Sequence, residues 1–540
     1  MKAFTEPLLS LAGFEEMTKT VEKSSGLISV TGCIDAQKSQ MIYAFGGHRK
    51  NKLIVTFGEQ KAKELYDEYS FFDKEVVYYP SKDVLFYQSD IRGNLLTAER
   101  IRALKAIREQ ERVTLVTTFD ALMNTMAPIE KMWENVLTLE LGQLLDLKEI
   151  QAALIRMGYE KEYQVQTMGQ FSVRGGILDV FPLTEENPIR IELWGDEIDT
   201  IRYFDCESQK SIENIDRVSI YPAAELVLSD EEKAGGIEKL KAEAKRVSDK
   251  LRKQMKTEEA HRVTVMADEL IEEWGELSMY AGMDAFLSYF FDERVGLLDY
   301  FKPSDSLIFF DELTRCTEQG KLTETEFSES MKQRLAMGYI LPGQMNGLFT
   351  EKEIVAKLEK YSCIALGALD NKANGLHQLG SYGIHCQSVS PYNNSFELLI
   401  KDLKRYKENG YRVILLSGSR TRAKRLSEDI TDQGITCFYT ENYDHELSEG
   451  QIMVCYGKVR RGFEYPILKF AVITESDIFG AQQKKKKRHR TYEGEKIQSF
   501  TDLSVGDYVV HENHGLGIYR GIEKLEVDKK VKDYIKIEYQ

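Results

Sequence analysis

Short apolar segments alternate with amphipathic ones over residues 26–120, and this alternation limits the possible folds more than any other feature of the chain. Strands are predicted at residues 27–31, 53–57, 76–79 and 113–118, with helices between them at 38–45, 59–69 and 96–109. Strands that alternate with helices form a parallel sheet covered by helices on both faces. A second stretch of this kind spans residues 388–480, with strands predicted at 412–417, 452–456 and 470–474 and a helix at 419–433. We therefore expect a multidomain α/β protein.

The turn after the first predicted strand reads Gly32-Cys-Ile-Asp-Ala-Gln37-Lys38-Ser39. It matches the phosphate-binding pattern GxxxxGK followed by Ser or Thr, except that Gln37 replaces the second glycine. Lys38 could still reach a phosphate, and Ser39 could hold magnesium. A non-glycine residue at that glycine costs about 1–2 kcal/mol in the left-handed backbone conformation. We interpret this turn as a nucleotide site that has lost its function, with a working site and a chance match as alternatives.

Asp311 and Glu312 follow an apolar segment at residues 307–310 that we predict to be a strand. ATP-hydrolysing enzymes place the magnesium-binding acid and the base for water at the end of such a strand, opposite the phosphate loop. An apolar strand ending in Asp is common in α/β folds, so this pair carries weight only together with Gly32 to Ser39.

Residues 171–205 are rich in predicted strands. We predict one strand at 173–181, interrupted by Gly175 and Gly176, then strands at 189–193 and 197–204 with Gly195-Asp196 as the hairpin turn. Because side chains alternate along a strand, Arg190 and Trp194 share one face, opposite the aliphatic residues, and Arg174 lies on a neighbouring strand. Arg and Trp are frequent binding anchors. The alternative is a small core with solvated arginines.

The next region, residues 223–300, is predicted to be helical. Its apolar residues fall at alternating steps of three and four, at Ile237, Leu240, Ala244, Val247 and Leu251. We favour packing within the chain over a partner helix. The run Lys484 to Arg490, with six Lys or Arg and one His, is interpreted as a basic linker, with a nucleic-acid-binding arm as the alternative.

The last forty residues change character. Gly506, Gly515, Gly517 and Gly521 are predicted at turns between short strands, which indicates a small bent β-barrel or Tudor-like module. His511 and His514 lie without further ligands nearby, so we interpret them as turn residues and predict no metal site. The chain stops within a predicted strand, and we expect it to be part of a longer protein.

The charge and cysteine content exclude several classes of protein. A formal net charge of −15 excludes a protein that coats nucleic acid, so any contact with DNA would need a local basic patch. The seven cysteines include no CxxC pair, so neither a zinc site nor a disulfide framework is indicated, and a reducing cytoplasm fits best. We predict no signal peptide and no membrane-spanning segment.

Together these motifs resemble the N-terminal half of the bacterial transcription-repair coupling factors, and residues 20–390 are similar to UvrB. The resemblance is carried by VRGGILDVFP, PIRIELWGDEIDTIRYFD and GDYVVHENHGLGIYRG. It implies degenerate RecA/helicase-like parallel sheets with a strand-rich insertion, a helical insertion and a CarD-like C-terminal module. The implied domains are 1–130 with about 300–387, 131–222, 223–299 and 388–480, then a linker at 481–497 and the start of an RNA-polymerase-interacting domain at 498–540.

The resemblance also implies partners and their contact residues. UvrA would bind Arg174, Arg190 and Trp194, where many relatives carry Phe at the last position. The RNA polymerase β subunit would bind the C-terminal module at Tyr508, His511, His514 and Tyr519. Double-stranded DNA, ATP and Mg²⁺ would be bound by motor domains beyond residue 540, so no cofactor and no catalytic residue are expected in this chain.

Two hypotheses for function follow. The first is a catalytically silent UvrB mimic that recruits UvrA and contacts stalled RNA polymerase. The second is an active UvrB-like ATPase that uses Lys38, Ser39, Asp311 and Glu312. UvrB also carries a long aromatic hairpin, whereas the corresponding residues 78–90 are predicted to lead directly into a helix. Together with Gln37, this favours the first hypothesis. Direct DNA binding by Lys484 to Arg490 is a third possibility.

Overall fold

The computed structural model describes residues 1–46, 49–82, 94–276, 283–369, 375–480, 506, 508–511, 515–527 and 530–539. The chain forms two compact units, residues 1–480 and residues 481–540. Within the described ranges, no helix is both long and apolar enough to cross a membrane. The basic run Lys484 to Arg490, His514 and most of the segment 78–90 lie outside the described residues.

The chain begins with two helices, after which strands and helices alternate. The elements up to residue 134 are α1 (Lys2–Leu9), α2 (Phe14–Lys23), β1 (Gly26–Thr31), α3 (Asp35–Phe45), β2 (Asn51–Thr56), α4 (Glu59–Tyr69), β3 (Val76–Tyr79), α5 (Asn94–Glu109), β4 (Val113–Thr118), α6 (Phe119–Met123) and α7 (Ile129–Glu134). Every strand and helix predicted here is present. The one shift that matters for function is in α3, which begins at Asp35 rather than at Lys38.

A strand-rich region follows, with β5 (Leu137–Glu140), α8 (Leu147–Arg156), β6 (Glu160–Lys161), β7 (Gln170–Arg174), β8 (Ile177–Val180), β9 (Ile189–Trp194), β10 (Glu197–Phe204), β11 (Ser211–Asn214) and β12 (Arg217–Ile220). Six of these strands form one sheet in the order β11-β10-β9-β8-β7-β6, and β12 pairs with β5.

The single strand predicted at 173–181 was wrong. Residues Gly175 and Gly176 form a turn, because Gly175 adopts φ +61°, and the chain reverses there. As a result β7 and β8 are antiparallel neighbours, with Ser172 opposite Asp179. This reversal adds a carboxylate to the polar face that carries Arg174.

The helical region contains α9 (Asp230–Lys253), α10 (Thr257–Glu276) and α11 (Leu287–Phe290), with 3₁₀ turns at Met283–Phe286, Leu297–Tyr300 and Pro303–Asp305. Ser229 and Glu232 form a capping box that starts α9. Leu240, Ala244 and Leu251 are buried in a cluster that includes residues of α10 and α11. The predicted apolar stripe therefore packs within the chain, as we favoured.

The chain then returns to the first sheet through β13 (Ser306–Asp311), α12 (Leu313–Ala336), a 3₁₀ turn at Pro342–Gly347, α13 (Glu351–Leu358), β14 (Ser362–Leu366) and β15 (Gln378–Gly383). The sheet has seven strands in the order β15-β1-β14-β13-β2-β4-β3, and all of its strand pairs are parallel. The predicted parallel α/β sheet is confirmed.

A second α/β region follows directly, with β16 (Gln387–Ser388), α14 (Phe396–Glu408), β17 (Arg412–Ser417), α15 (Arg420–Asp432), β18 (Phe438–Tyr439), β19 (Ile452–Tyr456), β20 (Phe463–Tyr465), β21 (Phe470–Thr474) and α16 (Glu475–Phe479). Its sheet order is β16-β20-β21-β17-β19-β18. One buried apolar cluster contains residues of both sheets, among them Ile28 of β1 and Ile414 of β17.

The second unit contains β22 (Tyr508–His511), β23 (Gly515–Val527) and β24 (Lys530–Tyr539), which form an antiparallel sheet in that order. The prediction that Gly517 and Gly521 lie at turns was wrong, since both are inside β23. The strand is irregular between Tyr519 and Gly521, where its register with β24 shifts. Glycine in a strand often marks such a bulge.

A nearly buried carboxylate lies where α4 approaches the second α/β region. Glu68 is 7% exposed, and its carboxylate accepts a hydrogen bond from the backbone N–H of Arg460. Arg460 directs its guanidinium instead at Glu64, with Nη1 at 2.8 Å from Oε1. Burial is the main cause that raises the pKa of Glu68 from 4.5 to about 7.

We expect Glu68→Gln to stabilise the protein in a pH-dependent way. The folded-state pKa lies above the unfolded value, so the favourable contribution of protonated Glu68 is complete below pH 4.5 and is lost as the pH rises through about 7. The variant should match wild type at pH 4.5 and exceed its free energy of unfolding by about 3 kcal/mol at pH 8. Denaturant unfolding at both pH values measures this difference, and a difference independent of pH would contradict it.

Candidate functional site

One face of the six-stranded sheet is polar although the other face is core. Ile189 and Ile191 on β9 are fully buried, whereas the side chain of Trp194 is 84% exposed. Arg190 lies between the two isoleucines in sequence and therefore on the opposite face. The predicted separation of aliphatic and polar faces is confirmed.

Asp179 organises this polar face. It lies on β8 directly opposite Arg190 of β9, and it is 1% exposed. Arg190 donates to both of its carboxylate oxygens, from Nε to Oδ1 at 2.7 Å and from Nη2 to Oδ2 at 2.8 Å. Arg174 donates to the same Oδ2 at 2.9 Å. One buried carboxylate thus fixes both arginines that the sequence singled out.

The guanidinium of Arg190 is held from other directions as well. Its Nη2 donates to Gln209 Oε1 at 2.8 Å, and its central carbon lies 4.3 Å from the ring centroid of Phe204. The hydrogen bonds to Asp179 are the main cause that raises the pKa of Arg190. Arg190 is therefore a preorganised cation rather than a mobile surface side chain.

Sequence reasoning missed Asp179. The available signal was a charged residue inside the apolar segment ILDVF, which requires a buried partner of opposite charge. The error in predicting β7 and β8 as one strand hid this relationship, because a single strand does not bring Asp179 back beside Arg174.

Both arginines retain free donors. Among the described residues, Nη1 of Arg190 and both Nε and Nη1 of Arg174 have no acceptor, and the side chain of Arg174 is 37% exposed. Trp194 lies at the end of the same β9–β10 hairpin. Two oriented guanidinium groups beside an exposed indole suit a partner surface that offers carboxylate or carbonyl oxygens next to an apolar pocket.

A second polar pair extends this face. Arg202 of β10 binds Glu192 of β9 through both guanidinium ends, with Nη1 at 2.9 Å from Oε2. The hydrogen bond to Arg202 is the main cause that lowers the pKa of Glu192. This pair is partly exposed and depends on no buried group, so it provides a comparison for the Asp179 pairs.

The loop that resembles a phosphate-binding loop has a different geometry. Because α3 begins at Asp35, only residues 32–34 remain as the turn after β1. Gly32 adopts φ +76°, and a Cβ atom there would meet the carbonyl oxygen of Ile384. Gln37 and Lys38 lie in the first turn of the helix and do not belong to an open loop.

Gln37 is fully buried at the contact with the second α/β region. Its Oε1 accepts a hydrogen bond from the hydroxyl of Tyr465 on β20. Its Nε2 and the hydroxyl of Ser39 are buried without a partner among the described residues. Gln37 thus contributes to packing between the two sheets at the position where a phosphate-binding loop requires glycine.

Lys38 lies beside Asp311 and Glu312, as we expected from acidic residues at the end of a strand opposite the loop Gly32 to Ser39. Its Nζ lies 2.5 Å from Asp311 Oδ1, 3.0 Å from Glu312 Oε1 and 3.0 Å from Asp35 Oδ1, and the side chain is 1% exposed. Burial acts to lower the pKa of Lys38, but the three carboxylates outweigh it and raise the pKa. The three carboxylates thus compensate the charge of a buried ammonium group.

The charge around Lys38 does not favour an anion. Three carboxylates face Lys38, and among the described residues Lys61 is the one further cation paired with them, with Nζ 2.9 Å from Asp35 Oδ2. Burial acts to raise the pKa of Asp35, yet the two lysines outweigh it and lower this pKa to about 2, so the carboxylate stays ionised. Within the described ranges, no group of three or more His, Cys, Asp or Glu is arranged to hold a metal ion.

The residues predicted to contact RNA polymerase are only partly described. Tyr508 is exposed and Tyr519 is 4% exposed, on neighbouring strands β22 and β23. His511 ends β22, and its side chain lies outside the described part of the chain. The contact prediction for these residues stays a prediction.

Two known families match separate parts of the chain. The family described as the UvrB interaction domain matches residues 137–226, which contain the Asp179 face. The family described as the CarD-like/TRCF RID domain matches residues 503–540.

Curated relatives match most of the chain. The transcription-repair-coupling factor of Bacillus subtilis is 30% identical over 490 residues, which cover 90% of this chain and 41% of the relative. That of Staphylococcus haemolyticus is 29% identical over 95% of this chain and 43% of its own length. That of Staphylococcus aureus is 29% identical over 98% of this chain and 44% of its own length. The chain thus spans about two fifths of these relatives, and the resemblance inferred from the motifs is confirmed.

We expect Asp179→Asn to weaken the strand-rich region. Asparagine keeps the size of the side chain but removes the charge that holds two guanidinium groups, so the free energy of unfolding should fall by about 2 kcal/mol. Hydrogen exchange of the amides in β7, β8 and β9 measures this loss. The control is Glu192→Gln, which affects a more exposed pair and should cost less than about 1 kcal/mol. Equal losses in both variants would contradict a special role for Asp179.

Proposed function

We propose that this chain is the UvrB-like, UvrA-recruiting part of a transcription-repair coupling factor and that its last residues contact stalled RNA polymerase. The observation that carries the proposal is the pair Arg174 and Arg190, which the buried Asp179 holds on the face of the sheet that also carries the exposed Trp194. The arginine side chains are 37% and 13% exposed. A surface that only needed solubility would not require a buried carboxylate, which is costly to bury without strong pairing.

The match of residues 137–226 to the UvrB interaction domain supports UvrA as the partner of this face. Arg190 is held rigidly before binding, so little conformational entropy is lost when a partner accepts its remaining donors. Trp194 supplies the apolar anchor. Indole is larger than the phenyl group common at this position in relatives, so the pocket on UvrA for this chain should be larger as well.

The match of residues 503–540 to the CarD-like/TRCF RID domain supports RNA polymerase, through its β subunit, as the second partner. Tyr508 is exposed and suited to direct contact, whereas Tyr519 is buried, so we propose that it supports the sheet instead. We also propose that this module forms a Tudor-like barrel and that His511 and His514 contact the polymerase. Contacts with double-stranded DNA, ATP and Mg²⁺ are assigned to motor domains outside this chain.

We further propose that the seven-stranded sheet is a degenerate RecA/helicase-like domain, formed by residues 1–130 with about 300–387, that hydrolyses no ATP. The proposed division of the chain is completed by two insertions at 131–222 and 223–299, a domain at 388–480, a linker at 481–497 and a module at 498–540. Lys38 among three carboxylates supports catalytic silence, and it disfavours the alternative of an active UvrB-like ATPase.

Arg190→Ala should reduce binding to purified UvrA by at least about thirtyfold, because the charge-assisted hydrogen bonds that Nη1 can donate to the partner are lost. Titration calorimetry or surface plasmon resonance with the whole chain measures the change.

The matched control is Arg217→Ala. Arg217 belongs to the same strand-rich region but lies on β12, outside the six-stranded sheet, and its side chain is 65% exposed beside Glu140. This variant should bind UvrA as wild type does. Equal weakening by both substitutions, or no binding of wild type to UvrA, would argue against the proposed face.

Lys38→Met should destabilise the protein by about 3 kcal/mol or more, because Asp311 is left buried beside further carboxylates without its cation.

Millimolar magnesium-ATP should leave the melting temperature of wild type and of Gln37→Gly unchanged, since a glycine at position 37 removes neither the early start of α3 nor the ion pairs of Lys38. Thermal shift and phosphate-release assays measure both. Phosphate release by wild type that Lys38→Met abolishes would establish the ATPase alternative instead.

A further inference from the structure

The turn between α9 and α10 ends the first helix with a specific hydrogen-bond pattern. The N–H of Lys256 donates to the carbonyl of Leu251 at 3.0 Å, and the N–H of Met255 donates to the carbonyl of Arg252 at 3.1 Å. These two bonds form a Schellman motif, which requires one residue in the left-handed conformation, most often glycine. Here that residue is Met255, with φ +62°.

A methionine is poorly suited to this position for reasons of backbone energy. A residue with a Cβ atom adopts the left-handed conformation at a cost that glycine avoids. The side chain of Met255 is 88% exposed, so packing inside the protein does not offset the cost. The turn by itself would be more stable with glycine, and what methionine adds is an apolar side chain presented to solvent.

The residues around Met255 are cationic. We call Lys250 to Lys256 the Met255 tip; its four cations are Lys250, Arg252, Lys253 and Lys256, and all four are exposed. No acidic residue lies between Lys250 and Thr257, in a chain whose formal net charge is −15. Acidic residues flank this stretch at Asp249 and Glu258. The tip is thus a locally cationic stretch that presents one exposed apolar side chain, Met255.

We propose that the Met255 tip contacts duplex DNA, with its cations on the phosphates and Met255 in the groove between them. Lys and Arg bind phosphates regardless of base sequence. Proteins that enter the minor groove frequently insert a single apolar side chain, methionine included, beside such cations. An acidic protein would also attract the cations, but it would need a preformed apolar pocket shaped for a convex helix end.

This contact goes beyond the proposed function, which assigns DNA to domains outside the chain. It also makes different demands from UvrA recruitment, since the Met255 tip and the Asp179 face belong to different regions of the fold, α9–α10 and the six-stranded sheet. Failure of one proposal therefore leaves the other intact.

The test is a titration of a fluorescein-labelled duplex of about 30 base pairs with the whole chain, followed by anisotropy at several salt concentrations. Met255→Gly should raise the dissociation constant at least about threefold, leave its dependence on salt unchanged and not lower the melting temperature. Lys253→Glu combined with Lys256→Glu should raise the dissociation constant by more than about tenfold and reduce the salt slope by about two.

Two controls make the result specific. Lys401→Glu with Lys404→Glu changes the charge by the same amount on exposed positions of α14 and should have less than half of the effect on a logarithmic scale. The series is repeated in a chain in which Lys484 to Arg490 are replaced by glutamine, so that this run cannot account for the binding. The proposal is overturned if the chain does not bind DNA at low salt, or if the tip variants bind DNA as wild type does. Either outcome is expected if the tip binds an acidic protein instead of DNA.

Discussion

The seven-stranded sheet cannot form from consecutive strands, and the rest of the first unit depends on this constraint. β1 and β2 are not neighbours: β1 pairs with β14 and β15, and β2 pairs with β13 and β4. The strands that separate them come from residues 306–366, after the strand-rich and helical regions. Those two regions are therefore insertions whose ends must return to one place. Such long-range pairing carries a large loop-closure cost, which the fully buried strands must repay.

Buried charges and hydroxyls hold those ends in place. Arg100 of α5 is fully buried and binds Glu225, at the exit of the strand-rich region, with Nε 2.7 Å from Oε1. Burial opposes ionisation of Glu225, but Arg100 and Lys82 outweigh it and lower its pKa to about 2. Where the helical region rejoins the sheet, the hydroxyl of Tyr300 accepts from the N–H of Ile129 at 2.7 Å. The Asp179 face is thereby carried on a rigid base, which a preorganised binding surface requires.

The same sheet carries Asp311 and Glu312 at the end of β13, and a cation from the chain itself compensates their charge. In an ATPase, carboxylates at the strand ends hold magnesium. Without the ion, the negative charge of these carboxylates would be uncompensated. Here Lys38 supplies the compensating charge from within the chain, to Asp35, Asp311 and Glu312. Gln37 joins the two sheets through Tyr465. Lys38 and Gln37 are thus residues of the core and of a contact between two sheets.

The sequence alone determined the class of fold, because the strands and helices of 26–120 and 388–480 follow from local periodicity and turn residues. It also determined which side of β9 carries Arg190 and Trp194, since alternation along a strand is a local property. It did not determine that Gly175-Gly176 reverses the chain or that Gly517 and Gly521 lie inside β23, because glycine permits both continuation and reversal and the choice rests on strand pairing. Only the tertiary structure placed Asp179 between two arginines and Lys38 among three carboxylates. The Asp179 cluster requires the antiparallel pairing of β7, β8 and β9, and Asp311 lies 273 residues from Lys38, so periodicity within one segment encodes neither cluster.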